Sequence, residues 1–270
     1  MSGTPRYELP EIHFRTWDSF KLGFREHFSR SAHTAEARYV FRGQSDAQWR
    51  LQSKFDREMR NLRGDKPKLR GELLDEFRRQ MNLANRSLPQ PEGTAREQEV
   101  RQWALGQHYA LPTPLLDWSA SPYIAAFFAC QGAVQRVNVS SQSEAAALLD
   151  RLAVFALRSD KAMIPVWKRI GVTLVDDKNP ENQRIRPQLG MFSLLNDAVR
   201  DLDQAVGEYC AGRDRSTSDF ILKFTLPYSA AFDALRDLDS MDLNPRRIYA
   251  DLEGVSRAAA LNFRLAKLDG

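Results

Sequence analysis

Tyr39-Val40-Phe41 is an unbroken apolar run that stops at Arg42 and Gly43. Its aromatic and branched residues predict a strand. Upstream, Trp17, Phe20, Phe24 and Phe28 recur at helical spacing behind a Thr or Asp cap, which predicts a helix from Thr16. Residues 69–86 read as a second amphipathic helix, and 87–94 as a loop by their prolines and glycine. Thr94 and Glu97 have capping-box spacing, and Val100, Trp103 and Ala104 follow, so a helix should run to about His108. Pro112 and Pro114 each remove a backbone donor, so 110–118 should form a rigid segment rather than more helix. Ser121-Pro122 then gives a cap and a proline at the first helical position. The run from Tyr123 to Cys130 is apolar nearly all round, which predicts a central, buried helix.

The second half reads in the same way. Residues 152–158, 172–175 and 219–227 predict strands, and 183–195 a loop followed by a strand. Helices are expected at 229–238, behind a Ser229 cap, and from Leu252 to Leu265. Helices and strands do not alternate strictly. The expected fold class is therefore α+β, a mixed or antiparallel sheet core with several surrounding helices. Residues 1–35 are expected to pack as an N-terminal helical segment on a main domain at 36–270.

Composition narrows the classes. The chain has 270 residues, 43% hydrophobic and 27% charged, ordinary globular values. It is long enough to bury a core without staples. Cys130 and Cys210 are its two cysteines, and Cys130 sits in an apolar run, which favours a buried thiol over a disulfide. His13, His27, His33 and His108 make no zinc spacing with them, so no metal is expected. No apolar stretch reaches the roughly 18–20 residues that span a bilayer, and the N-terminus lacks a secretory pattern. A cytoplasmic protein with no membrane partner is expected. The net charge of +4 and pI near 9.1 permit contact with nucleic acid or phosphates without establishing it.

Four clusters combine polar side chains with special backbone positions. In the first, Arg42 brings a rigid five-donor fork suited to phosphate or carboxylate, Gly43 allows close approach, and Gln44 follows. A structural salt bridge beside a turn explains the same residues. In the second, His108 ends a helix and Asp117 precedes the next, so Asp could orient His for acid–base work. Asp117 bracing the loop and His108 facing the helix C-terminus is the plainer alternative. In the third, Arg184 and Arg186 lie two apart, ahead of Gln188 and Ser193, either an anion clamp or a solvated face. The fourth, Asp251-Leu252-Glu253-Gly254, opens a helix, where acidic residues suit the dipole in any case.

In this order the clusters resemble the FRG domain family of bacterial and phage proteins, named for its aromatic-Arg-Gly motif. The resemblance runs from Arg38 to about Leu261 and is most specific from His108 to the Phe127-Phe128 pair. The chain has Pro114 where the family usually has arginine, Leu189 where a second glutamine is frequent, and Ala250 where proline is common. A fainter similarity, to ADP-ribosyltransferases, implies an NAD-using enzyme of that fold with a toxin or phage-defence role. It would match Arg42 to an arginine that holds NAD, Ser193 to a serine that supports the site and Glu253 to a glutamate at the nicotinamide ribose, and Gln44, Arg184, Arg186 and Gln188 are expected to complete the NAD contacts. His108 and Asp117 would complete the catalytic set, acting on a protein or other acceptor. The alternatives are a non-catalytic nucleotide or nucleic-acid binding module, and a nuclease or other hydrolase using His108 and Asp117.

Overall fold

The computed structural model describes residues 7–29, 38–88, 94–136, 150–176, 190–249 and 251–268. They form an α+β fold around one seven-stranded sheet. The strands are β1 (Glu11–His13), β2 (Tyr39–Gln44), β3 (Leu115–Ser119), β4 (Arg151–Arg158), β5 (Val172–Asp176), β6 (Gly190–Leu195) and β7 (Ile221–Pro227). Their order across the sheet is β1-β7-β4-β2-β3-β6-β5. β1 runs parallel to β7 and every other pairing is antiparallel, so the sheet is mixed. The helices are α1 (Trp17–Ser29), α2 (Lys54–Glu58), α3 (Lys66–Leu83), α4 (Ala95–His108), α5 (Pro122–Arg136), α6 (Ile164–Arg169), α7 (Leu202–Cys210), α8 (Ser229–Ser240), α9 (Pro245–Ile248) and α10 (Asp251–Leu268). None of the described helices is long and apolar enough to cross a membrane.

β4 shows how the two faces are built. Leu152, Val154 and Ala156 point to one face and Ala153, Phe155 and Leu157 to the other, all at most 1% exposed. The first set joins Phe41, Phe224 and the apolar sides of α1, α5 and α8 in one cluster. The second packs with Leu116, Trp118, Trp167 and residues of α7 in another. A third cluster seats α3 and α4 on Leu115, Phe192 and Leu194. Phe41 pairs with Ser119, so Leu115 and Phe41 share a face. α4 and α5 therefore lie on the same side of the sheet, with β3 running beneath the space between them.

Local signals set most helix ends. Thr94 and Glu97 form a reciprocal capping box at the start of α4. Thr16 accepts from the Ser19 N–H at 3.2 Å ahead of α1. The Ser229 cap does not form: Tyr228 occupies that position and makes no side-chain cap. The proline segment is not all loop either, since Leu115–Ser119 is strand β3. Strand β1 and helices α2, α6 and α7 are further elements that the hydrophobic pattern leaves unmarked.

Candidate active site

β2 and β3 are joined at a single residue pair, Phe41 and Ser119. Beyond it the sheet opens, and the Arg42 side chain lies in the opening. Its Nη1 donates to the Asp117 carbonyl at 3.0 Å, a group that strand pairing would otherwise satisfy. The same nitrogen is 3.6 Å from the Asp117 carboxylate. Nε of Arg42 is buried with no hydrogen-bond partner among the described residues. Arg42 is thus both a splint across the sheet and a cation at the floor of a cleft. Gly43 has a steric reason of its own: a Cβ there would stand 1.8 Å from the Ala125 carbonyl oxygen of α5.

The cleft has a volume of about 390 Å³, within the range of small-molecule sites. Arg42, His108, Asp117 and Glu253 all line it, together with the aromatic rings of Phe41, Phe128, Phe192 and Tyr249. Four separate stretches of chain, β2, the end of α4, β3 and the first turn of α10, thus bring their polar residues to one place.

Each wall is positioned by local chemistry. α4 ends where Ala110 takes up the left-handed region at φ 68°, which turns the chain back toward the helix. Leu111 N–H then bonds the Gly106 carbonyl at 3.0 Å. Thr113, wholly buried between Pro112 and Pro114, accepts from the Leu115 N–H at 3.4 Å. It donates to Gln107 Oε1, and Gln107 Nε2 donates to Asp117 Oδ1. Opposite, Gly254 lets α10 close on α9: a Cβ there would lie 2.7 Å from the Tyr249 carbonyl oxygen and 2.9 Å from that of Pro245. Tyr249 donates to Gln131 Oε1 at 2.8 Å, and its ring carries the Arg257 guanidinium 4.3 Å away. Arg257 Nε also donates to Glu253 Oε1 at 2.9 Å.

The Asp117 side chain lines the cleft and keeps 58% of its surface open. Partial desolvation by the surrounding protein pushes its carboxyl above the usual range, with Arg42 and the Gln107 amide opposing. Enclosure likewise pulls the Arg42 guanidinium down, against Asp117. Burial raises the Tyr249 phenol.

Of the other sequence candidates, Ser193 is fully buried and accepts from the Trp118 indole at 2.8 Å. Its strand position puts it on the face away from Asp117, so it is no part of the cleft. Gln44 is also buried and points its amide at the Arg50 carbonyl, 3.4 Å away. Arg184, Arg186 and Gln188 lie outside the described residues. Gln107, Thr113, Phe128 and Tyr249 have places in or beside the site that sequence reasoning did not assign. Gln107 stands next to His108 in a recognised block, and Tyr249 just before the acidic cluster, so position alone could have flagged both. Nothing in the apolar run of α5 singles out Phe128.

No curated protein and no solved structure matches the chain. The family model for the FRG domain matches residues 37–137, which include β2, α4, β3 and α5 and hence Arg42, His108 and Asp117. The chain carries an FRG domain, and that domain supplies Arg42, His108 and Asp117, three of the four residues expected at the site that line the cleft.

Proposed function

We propose that the cleft binds NAD and breaks the bond between nicotinamide and ribose, passing ADP-ribose to an acceptor. The observation that carries this reading is the meeting of Arg42, His108, Asp117 and Glu253 on one aromatic-walled cleft. The cavity suits a ribosyl unit with its base, and the rings offer faces to a flat heterocycle. As the C–N bond breaks, its electron pair leaves with nicotinamide, which becomes neutral, and positive charge develops on the ribosyl carbon. Glu253 supplies the carboxylate to stabilise that charge, and Arg42 a cation for the ligand's anionic part. The acceptor's nucleophile closes on the ribosyl carbon and gives its proton to Asp117 or His108. Depleting NAD or modifying a protein in this way would suit a toxin or phage-defence effector.

A second reading is a nucleotide-binding module without turnover. The pairing of both carboxylates with arginines, Asp117 with Arg42 and Glu253 with Arg257, favours it. Release of nicotinamide from NAD, followed by chromatography, decides between them. The wild-type protein should release it, and Glu253→Gln should lower the rate by about 10²-fold or more with folding unchanged. Calorimetric binding without release would support the module, and neither binding nor release would overturn both readings.

A further inference from the structure

Between α4 and β3, hydrogen-bond donors run in one direction. Leu115 N–H points at Thr113 Oγ1, 3.4 Å away, so the hydroxyl proton is free to go elsewhere. It goes to Gln107 Oε1, which leaves the amide N–H₂ as the end that meets Asp117. A glutamine without that hydroxyl could turn its oxygen toward a protonated Asp117 and accept from it, so the ionised form would lose its advantage. Thr113 itself cannot shift easily. It is fully buried, flanked by two prolines, and its carbonyl accepts the Phe55 N–H at 3.1 Å. Gln107 and Asp117 both line the cleft.

We propose that Thr113 and Gln107 are positioning residues: the hydroxyl sets the direction of the amide, and the amide holds Asp117 ionised and aimed into the cleft. This rests on the reading of the cleft as a ligand site. Gln107 holds Oδ1 of Asp117, while Oδ2, 3.6 Å from Arg42, is the oxygen left for a ligand hydroxyl. The other charged or titratable groups around the cleft are His108 on α4, Tyr249 after α9 and Glu253 on α10, with Arg57 acting on Arg42.

The test follows Asp117 in the ligand-free protein by carboxyl-carbon NMR across pH, in wild type, Gln107→Ala and Thr113→Val. The alanine removes a donor to the ionised form. The valine keeps shape but frees the amide to present its oxygen to the protonated carboxyl, which then donates to it. In both variants the Asp117 midpoint should move upward, and the acid limb of any nicotinamide release should move up with it. A loss of packing alone would lower thermal stability and leave the midpoint where it was. Should Thr113→Val not fold, Gln107→Ala, altered on the half-buried cleft wall, carries the test. An unmoved midpoint overturns the positioning role even if NAD is consumed. A shifted midpoint sustains it even if NAD is not, so the two proposals fail separately.

Discussion

Arg42 and Gly43 show how one dipeptide can answer two physical demands. The arginine replaces a missing strand pairing and carries charge to the cleft, while the glycine admits a helix backbone against the strand. Gly43→Ala tests the second demand. The added methyl would stand 1.8 Å from a backbone carbonyl oxygen, which no side-chain rotation relieves. α5 must move, at a cost of about 2–3 kcal/mol, typical of overpacking. Urea unfolding should show a lower midpoint with an unchanged slope. A midpoint equal to that of wild type would mean that helix and strand are not in contact there. Arg42 was legible in the sequence as costly polarity at the end of an apolar run. Its role as a splint was not, because that depends on β3 parting from β2 beyond Ser119. Ser193 lies outside the cleft for a related reason: a hydroxyl in a strand belongs to whichever face the register assigns, and its partner is Trp118.

At the scale of elements, legibility followed the range of the interactions. The capping box of α4 and the proline at the start of α5 are local signals, and both form. β1 is three residues, Glu-Ile-His, with no strand pattern of its own, and it is a strand because Lys223–Thr225 lie alongside it. β3 follows directly after Pro114 and is a strand through its pairing with β6. The same contrast applies at the cleft. Arg42, His108 and Asp117 fall within the family match, whereas Glu253 comes from α10, well beyond it. What sets Glu253 is the close packing of α10 on α9 at Gly254, where a Cβ would meet the carbonyl oxygens of Tyr249 and Pro245. Gly254→Ala should therefore displace the first turn of α10 and slow the release of nicotinamide by about 10-fold or more, since misplacing a reacting group is costly. Chromatography of the products measures this, and the neighbouring Ser256→Ala, on an exposed position, should leave the rate unchanged.

For the molecule as a whole, the face of the sheet that packs α7 contains a buried acid. Asp203, on α7, is 7% exposed and accepts the Leu51 N–H at 2.7 Å, tying α7 to the chain after β2. Burial raises its carboxyl from 3.8 to about 6, opposed by the Leu51 N–H and reinforced by nearby Asp201. A folded value above the unfolded one means that the protonated acid favours the native state. Its contribution is full below about pH 4 and is lost as pH rises through about 6. Two pKa units correspond to about 3 kcal/mol. Asp203→Asn keeps an acceptor for Leu51 but cannot ionise. Urea midpoints of the two proteins should then agree near pH 3.5 and diverge in favour of the variant between pH 4 and 6. Above that they should run parallel, with the variant more stable by up to about 3 kcal/mol. Parallel curves throughout would show that Asp203 ionises as freely in the folded chain as in the unfolded one, and that the seal between α7 and Leu51 is open to water.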